Sequence, residues 1–292
     1  MTLYEEIQKA IEANTNKEFP DNCTVAVQGV EGAYSQQACD KFFKNATIRY
    51  YDKWDKVCSS IENGICQYGI LPIENSTTGS IRQIYDLMIS HSFKIVKTTR
   101  LKINHSLLSK KNAEVKDIKE IVSHEQGIEQ CQNFLESMRN VKLTKVANTA
   151  VAAKMVAESD RTDIAAISSI NCATLYDLKV MKAGIQDKDN NYTRFICISK
   201  NLEIYPGADR TSLMLVLKNR PGELFHTLAK FDALGINLTK LESRPLQDRD
   251  FEYMFYFDLD TSVYSEQFVK LICELENDCT EFKYLGSYTE KA

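Results

Sequence analysis

The chain has 292 residues and a formal net charge of −4 at pH 7, with 43% hydrophobic and 26% charged residues, a composition ordinary for a globular protein. This length allows two domains. No segment concentrates Lys and Arg, which argues against a nucleic-acid or an anionic-membrane partner. The longest apolar run is LMLVL at 213–217, which is too short to span a bilayer.

The chain begins with the acidic sequence MTLYEEIQKAIEANTNKE, whereas a signal peptide is basic; this predicts a cytoplasmic protein. Leu3, Ile7 and Ile11 recur at steps of four and predict a short helix within the segment 1–22, packed on the main body or on a second subunit. The nine cysteines form no CxxC pair and the four histidines show no HxxxH or HExxH spacing. We therefore expect neither a disulfide framework nor a metal site.

From residue 23 one unit recurs, in which an apolar strand is followed by a polar turn and a helix. Its strands are TVAVQ, YGILPI, KEIVS, LTKVA and DIAAIS. Such alternation predicts βαβ units and mostly parallel sheets. Residues 91–108 have the pattern of two extended segments without a helix, which suits a crossover between two lobes. A last strand, TRFICIS, begins at Thr193, so we predict a bilobal α/β domain over 23–200 with a cleft between its lobes.

Polar side chains occupy the turns of these units. They are Tyr34, Ser35, Glu74 to Thr78, Ser123, His124, Asn148, Thr149, Ser168 and Ser169. In an open parallel sheet, ligands bind beyond the carboxyl ends of the strands, where helix N-termini present free N–H groups. Each turn alone is explained by helix capping, but five together predict a polar pocket for a small anion. The chain has no GxGxxG and no GK[ST], so these turns do not predict a nucleotide site.

A different order follows the predicted linker at 201–210. Over 211–292 the patterns predict strand, helix, strand, strand, helix and strand, which is the βαββαβ order of an α+β ferredoxin-like sandwich. In DFEYMFYFDLD the aromatic residues from Phe251 to Phe257 alternate with others and predict one buried face. We expect the helix-free face or an edge of this sheet to be covered by a second copy of the chain.

Four motifs occur in the order GILPIENSTTGSI, SHEQGIEQC, NNYTRF and LESRP. From about residue 23 to residue 288 the chain resembles prephenate dehydratase with a C-terminal ACT domain. The resemblance implies a catalytic domain like a periplasmic binding protein, with the active site in its cleft. It also implies the decarboxylation and dehydration of prephenate to phenylpyruvate in phenylalanine biosynthesis, without a metal or an organic cofactor. Phenylalanine would bind the ACT domain and inhibit, and these domains would join the chain into a homodimer or a homotetramer.

The resemblance implies roles for individual residues. Thr193 would be catalytic, and Glu74, Asn75, Ser76, Ser123, Gln130 and Thr149 would bind substrate. The phenylalanine site would comprise Asn219, Pro221, Gly222, Leu224, Glu242, Ser243, Arg244 and Pro245. The helix start reads GELF where the family has GALV, which leaves the choice of effector open.

Several alternatives stay open at this stage. The planar fork of Arg194 makes it our candidate anchor for the substrate's side-chain carboxylate, although it also fits a surface residue that opens a strand. His124 is the rival of Thr193 as proton donor, and Glu74 fits a turn cap as well as a substrate contact. Arogenate is an alternative substrate, and a non-catalytic solute-binding or sensory protein is an alternative class. Only 22 residues precede the catalytic region, so we expect no chorismate mutase activity.

Overall fold

The computed structural model describes residues 2–138, 140–246, 249 and 252–291. Its helices are α1 (Leu3–Asn14), α2 (Tyr34–Phe42), α3 (Trp54–Glu62), α4 (Arg82–Ser90), α5 (Glu125–Glu129), α6 (Gln132–Glu136), α7 (Thr149–Glu158), α8 (Asn171–Leu175), α9 (Glu223–Ala233) and α10 (Glu266–Asp278), with a 3₁₀ turn at Val115–Asp117. Its strands are β1 (Thr24–Gln28), β2 (Thr47–Tyr51), β3 (Tyr68–Asn75), β4 (Gly79–Ser80), β5 (Lys94–Lys102), β6 (Ser106–Ser109), β7 (Glu120–Ser123), β8 (Lys142–Lys145), β9 (Ile164–Ser168), β10 (Lys179–Ala183), β11 (Tyr192–Ser199), β12 (Arg210–Val216), β13 (Asn237–Pro245), β14 (Tyr253–Asp260), β15 (Glu281–Tyr288) and β16 (Glu290–Lys291).

The first lobe is built on a seven-stranded sheet of order β16-β5-β11-β3-β1-β2, with β4 paired to β3. Strand β1 runs parallel to β2 and β3, and β11 runs antiparallel to both β3 and β5. The sheet is therefore mixed, whereas we predicted a mostly parallel one. The difference arises because β11 returns from the second lobe against the direction of its two neighbours.

The second lobe contains a five-stranded sheet of order β10-β6-β9-β7-β8. Here β7 is parallel to β8 and β9, while β6 is antiparallel to β9 and β10. Helix α7 packs on this sheet through Ala150, Ala152, Ala153 and Val156, which are all fully buried. The chain enters this lobe after β5 and leaves it before β11, so the predicted bilobal α/β architecture is confirmed.

The C-terminal domain follows the predicted βαββαβ order, with β12, α9, β13, β14, α10 and β15 in sequence. Its four strands form an antiparallel sheet of order β13-β14-β12-β15. Helices α9 and α10 cover one face of that sheet. Helix α1 lies on the same side, where Ile7 and Ala10 join the core that contains Phe268 and Leu271. The first helix, predicted to pack on the main body or on a second subunit, thus packs on the C-terminal domain of the same chain.

The opposite face of this sheet packs on the first lobe of the same chain. Phe257 and Leu259 of β14 belong to the helix-side core, whereas Met254 and Tyr256 join a core with Tyr85 of α4. The rings of Tyr85 and Tyr256 meet edge to face, with centroids 5.0 Å apart. The prediction that β14 buries only one face was wrong. The helix-free face is covered by the first lobe rather than by a second copy, whereas pairing of a second copy with an edge of this sheet stays a prediction. Phe251 lies outside the described residues.

The segment at 201–210, predicted as a linker, is packed against the first lobe. The hydroxyls of Tyr68 and Tyr205 both donate to the Glu203 carboxylate at 2.7 Å. Phe19 contacts the rings of Tyr68 and Tyr205, with centroids 5.5 and 5.0 Å away. None of the helices in the described ranges is long and apolar enough to cross a membrane.

Candidate active site

A cavity of about 340 Å³ lies between the two lobes, within the size range of small-molecule sites. The first lobe contributes the carboxyl ends of β1 and β2, the strands β3 and β11, and the N-termini of α2 and α3. The second lobe contributes α5 and the N-terminus of α7. Among the predicted site residues, Asn75, Gln130, Thr149 and Thr193 line this cavity together, and so does the rival proton donor His124.

Three helices of eight or more residues begin at the cavity wall. α2 and α3 start at Ala33 and Lys53 with no side-chain cap among the described residues, so their first N–H groups stay available. α7 is capped by Asn148, whose Oδ1 accepts the N–H of Val151 at 2.8 Å. Because aligned peptide dipoles give a helix N-terminus a partial positive charge, this wall favours a negatively charged ligand.

Lys53 adds a full positive charge to the cavity. Within the described residues it is the only Lys or Arg that lines the cavity, and Asp52 is the only carboxylate. Asp52 already pairs with Lys56, with 2.8 Å between Oδ1 and Nζ. The site therefore presents a net positive potential to a ligand, as expected for binding an anionic small molecule.

Thr193 and Asn75 face each other across the β3–β11 pairing. The Nδ2 of Asn75 donates to the Oγ1 of Thr193 at 3.0 Å, so the threonine oxygen acts as an acceptor there. The hydroxyl hydrogen of Thr193 must point elsewhere, and Thr193 lines the cavity. The arrangement provides a hydroxyl that is available to donate a hydrogen bond to a bound molecule.

The turn after β3 holds Asn75 in place. Its Oδ1 accepts the backbone N–H groups of Thr77 at 2.9 Å and Thr78 at 3.1 Å, and the Thr77 hydroxyl at 2.5 Å. An Asn side chain that closes a turn in this way is a common local motif. The row of hydroxyl residues after the apolar strand therefore fixes the orientation of the Asn75 amide.

His124 is the N-cap of α5, where its Nδ1 accepts the N–H of Gln126 at 3.3 Å. Burial lowers the pKa of this imidazole. Burial also lowers the pKa of His105, a second histidine in the cavity wall whose Nε2 lies 2.9 Å from Gln130 Oε1. Both rings are therefore mainly neutral at neutral pH, and each then carries one N–H donor.

The family model of prephenate dehydratase matches residues 25–203. The chain belongs to the prephenate dehydratase family. It is accordingly an enzyme of the lyase class, and the family acts in aromatic amino-acid biosynthesis.

A relative from Arabidopsis thaliana, arogenate dehydratase/prephenate dehydratase 2, is 37% identical over 276 residues, covering 90% of this chain and 72% of the relative. The crystal structure of prephenate dehydratase from Arthrobacter aurescens in complex with L-Phe is 26% identical, with a TM-score of 0.83, and covers 91% of this chain and 89% of that one. A structure described as a novel type of quorum quenching acylase is also 26% identical, with a TM-score of 0.82 and coverage of 92% and 98%. These solved structures share the bilobal fold.

Four predicted substrate-binding residues of this prephenate dehydratase family member lie outside the cavity lining. Ser76 ties two segments together, because its Oγ donates to Asn190 O at 2.8 Å and accepts the N–H of Tyr192 at 2.9 Å. Ser123 is fully buried behind the cavity and donates to Ile167 O at 2.8 Å. Both residues hold neighbouring segments together and do not line the cavity.

Arg194 and Glu74 pair with each other on the far side of the β3–β11 pairing. The Nε of Arg194 lies 2.8 Å from Glu74 Oε1, and its Nη2 contacts Asp258 of the C-terminal domain. Lys240 adds a second cation 3.0 Å from Glu74 Oε2. The guanidinium is thus engaged by two carboxylates away from the cavity, which corrects its prediction as the substrate anchor. Glu74 has the structural role that we left open.

Several cavity residues were missed in the sequence. Gln28, Lys53, Trp54 and His105 line the cavity, and Asn191 contacts two lining residues. Lys53 could have been predicted from the sequence. The same strand, turn and helix unit recurs there, with TIRYY as the strand and DKW at the turn before the helix. Nothing in a single sequence marks His105, which stands in the crossover between the lobes.

In the part of the chain that the structure describes, no group of three or more His, Cys, Asp and Glu side chains could hold a metal ion. The nine cysteines are all free, and seven of them are buried. Burial raises the pKa of the Cys131 thiol to about 12 and that of Cys58 to about 12, so these thiols stay protonated and act as apolar core groups.

Proposed function

We propose that this member of the prephenate dehydratase family converts prephenate into phenylpyruvate by loss of carbon dioxide and water, without a cofactor. The observation that carries the proposal is the hydrogen bond from Asn75 to Thr193. It leaves the Thr193 hydroxyl free to donate into a cavity bordered by three helix N-termini and Lys53.

Prephenate carries two carboxylates and a ring hydroxyl. When the ring carboxylate leaves as carbon dioxide, its electron pair enters the ring and the hydroxyl departs with a proton as water, so that the ring becomes aromatic. Thr193 donates to the departing oxygen. An alcohol is a weak acid, so proton transfer accompanies cleavage of the carbon–oxygen bond. His124 remains the rival donor, although its lowered pKa leaves little imidazolium at neutral pH.

The helix N-termini and Lys53 would bind the side-chain carboxylate, the role that we first assigned to Arg194. The departing carboxylate loses its charge in the transition state. Strong binding of that group would stabilise the substrate more than the transition state and would slow the reaction. Thr149 at the start of α7 and Gln130 in the cleft wall orient the ligand through neutral groups.

We propose prephenate rather than arogenate as the better substrate. Arogenate replaces the side-chain keto group with an ammonium, which calls for a carboxylate partner. Within the described lining that carboxylate is Asp52, and Lys56 already neutralises it. The Arabidopsis relative carries both activities in its name, so arogenate remains the alternative substrate.

The test is turnover of both substrates by one sample of the purified full chain. Prephenate consumption is followed by the absorbance of phenylpyruvate in base, and arogenate consumption by the phenylalanine formed. We expect a higher kcat/KM on prephenate, and Thr193→Val, which keeps the side chain's shape, should lower kcat by about 100-fold or more. Thr193→Ser should restore part of it. Ligand binding without turnover of either substrate would favour the solute-binding or sensory class instead.

We also propose that the C-terminal domain is an ACT domain that binds phenylalanine and inhibits the enzyme. The predicted site draws on the start of α9, at Asn219, Pro221, Gly222 and Leu224, and on the end of β13, at Glu242, Ser243, Arg244 and Pro245. Gly222 has a φ of 87°, a conformation that favours glycine, at the N-cap of α9. The similar Arthrobacter aurescens structure contains L-Phe, which supports this effector.

Strand β13 suits a coupling role because its two faces differ. Glu242 accepts a hydrogen bond from Ser80 at 2.6 Å, and Arg244 forms two hydrogen bonds with Asp86 of α4, so one face contacts the first lobe. Leu241 and Ser243 on the other face are exposed. We propose that effector binding at the exposed face, beside Ser243, shifts the contacts that Glu242 and Arg244 make with the first lobe. These two side chains point away from the exposed face, so we assign them to coupling rather than to contact with phenylalanine.

Titration of the full chain with L-Phe tests this regulation. We expect saturable heat in calorimetry and a matching fall in kcat/KM, with L-Ala as the control ligand. No heat and no inhibition at millimolar L-Phe would reject the effector.

Assembly into a dimer or a tetramer through these domains is a proposal supported by the exposure of Phe225, which is 69% accessible. Light scattering would measure it. A cytoplasmic location stays a prediction, and the Arabidopsis relative is named as chloroplastic.

A further inference from the structure

We infer that Asn191 is a positioning residue. It accepts a hydrogen bond from Asn75, which also donates to Thr193 in the first lobe, and it donates in turn to Gln130 in the second lobe, so the direction of these hydrogen bonds is fixed across the cleft. Asn191 is 2% exposed and precedes Thr193 by two residues. The inference rests on the proposed function only where it concerns turnover. Its structural part stands on the hydrogen bonds alone.

The direction is set at the turn after β3. Backbone N–H groups can only donate, so the Asn75 atom that faces the N–H groups of Thr77 and Thr78 must be its oxygen. The Asn75 amide therefore cannot rotate by 180° without leaving two backbone donors unpaired. Its Nδ2 is fixed toward Thr193 and Asn191.

In this series of hydrogen bonds, each side chain is made a donor or an acceptor by the side chain before it. Asn75 Nδ2 donates to Asn191 Oδ1 at 2.7 Å, so the other end of the Asn191 amide is its Nδ2, a donor. That Nδ2 lies 3.0 Å from Gln130, which must present its oxygen to it. Gln130 follows α5 in the second lobe, so the hydrogen bond from Asn191 spans the cleft.

The last member is His105. Its Nε2 lies 2.9 Å from the same Gln130 Oε1, and an acceptor oxygen requires Nε2 to carry the hydrogen. The ring is 2% exposed and burial disfavours its charged form, so Nδ1 is left without a hydrogen. Consistent with this, Nδ1 has no hydrogen-bond partner among the described residues. The backbone of one turn thus determines the tautomer of a histidine in the other wall of the cleft.

A residue that merely filled space at this position would not control that tautomer. The Asn191→Asp substitution keeps the shape and keeps an acceptor for Asn75, but it replaces the donor that faces Gln130 with an oxygen. At a pH where the new carboxylate is ionised, it can only accept, and the Gln130 amide must rotate to present its Nε2 to this carboxylate and to His105. His105 must become the acceptor at Nε2 and carry its hydrogen on Nδ1.

The ¹⁵N chemical shifts of the histidine rings report the tautomers in the full chain without any ligand. We expect His105 to carry its hydrogen on Nε2 in the wild type and on Nδ1 in Asn191→Asp. Asn190→Asp is the matched control, because its exposed neighbouring side chain receives the same charge and should leave the tautomer unchanged. If Asn191→Asp does not fold, Asn191→Ala serves, and we expect it to give a mixture of tautomers. A wild-type hydrogen on Nδ1, or an unchanged tautomer in the Asn191 variant, overturns the inference.

Kinetics then test the positioning of Thr193. A misdirected catalytic group costs on the order of 10- to 100-fold in rate, so kcat for Asn191→Asp should fall by that amount while KM changes by less than about 3-fold. Asn190→Asp should match the wild type in both constants. Normal kcat in a variant whose tautomer has inverted overturns the positioning role. If the wild type turns over neither prephenate nor arogenate, the proposed function fails, and the tautomer measurement still decides what Asn191 orients.

Discussion

At the scale of single residues, the chemistry of the site depends on which partner each polar atom already has. Thr193 receives a hydrogen bond from Asn75 and keeps its own hydrogen for a ligand. His124 uses Nδ1 to cap α5, and burial lowers the pKa of its ring. Because the pKa of His124 is lowered, a smaller fraction of this ring is imidazolium at neutral pH than of a free histidine. This favours Thr193 over His124 as the proton donor at neutral pH.

We therefore predict that turnover does not follow the protonation of His124. Between about pH 6 and pH 8, where an ordinary histidine titrates, kcat for the wild type should show no limb that rises toward acid. His124→Gln should lower kcat by less than about 10-fold, which is below the roughly 100- to 10,000-fold that general acid catalysis contributes, and should keep the shape of the profile. A limb that is present in the wild type and absent from His124→Gln would make His124 the donor.

At the scale of elements, the cavity owes one wall to the close approach of α5 to β7 and α7. A Cβ built on Gly127 would lie 2.7 Å from the Oγ of Ser123 and 3.3 Å from a methyl carbon of Thr149. The first distance is shorter than any normal contact, and Ser123 Oγ is held by its hydrogen bond to Ile167 O. The motif SHEQG thus pairs a buried serine with a glycine that lets the helix approach it.

The Gly127→Ala substitution should force α5 away from β7. We expect a loss of about 1–3 kcal/mol in the free energy of unfolding, the usual cost of overpacking, together with a raised KM because α5 lines the cavity. Ser123→Ala alone should cost about 1 kcal/mol through its lost hydrogen bond. Urea denaturation of the double variant should show a cost below the sum of the two, because the serine oxygen that collides is gone. Simple additivity would contradict this contact.

At the scale of the whole molecule, the catalytic lobe and the C-terminal domain share buried charges. Arg194 lies between Glu74 of the first lobe and Asp258 of β14, and the Arg194 and Asp258 side chains are 11% and 5% exposed. Asp258 also accepts the hydroxyls of Ser212 and Tyr256. Because Arg194 directly follows Thr193, any shift of the C-terminal domain against the lobe acts on the backbone next to the Thr193 hydroxyl in the cavity.

Removing one partner of a buried ion pair leaves an uncompensated charge, so Arg194→Leu should destabilise the protein by about 3–5 kcal/mol. The double variant Arg194→Leu with Asp258→Leu should recover a large part of that loss. As a control, Lys154→Ala breaks an exposed pair with Glu158 on α7 and should cost less than about 1 kcal/mol. Urea unfolding midpoints measure all three. Equal costs for Arg194→Leu and Lys154→Ala would show that the buried pair has no special weight.

How far the sequence predicts this molecule follows from the range of the forces involved. Strand and helix patterns arise from neighbours within a few residues, so the bilobal order, the βαββαβ order and the polar turns around Asn75 and Thr149 could be predicted. The element that packs against a given face of a strand cannot be predicted from neighbouring residues in the sequence. Met254 and Tyr256 lie on the face of β14 opposite to Phe255 and Phe257, and the sequence pattern left that face exposed. Both are buried because α4, about 170 positions earlier in the chain, packs against them.

The same limit explains Arg194. Its sequence neighbours identify a strand next to a polar loop, and its fork suits any carboxylate, from a ligand or from the protein. The carboxylate it meets is Asp258, 64 positions away. Only the folded chain shows whether Arg194 meets a carboxylate of a ligand or one of the protein, because this depends on which side of β11 the C-terminal domain covers.

The ends of the described chain cross over between its two bodies. Helix α1 precedes the catalytic lobes but packs on α10, while β16 follows the C-terminal domain but pairs with β5 of the first lobe. If a protease cleaved the backbone anywhere in 201–210, α1 of the N-terminal fragment would still pack on the C-terminal fragment. In the same way, β16 of the C-terminal fragment would still pair with β5 of the N-terminal fragment. The nicked enzyme should elute as one particle and come apart only on denaturation.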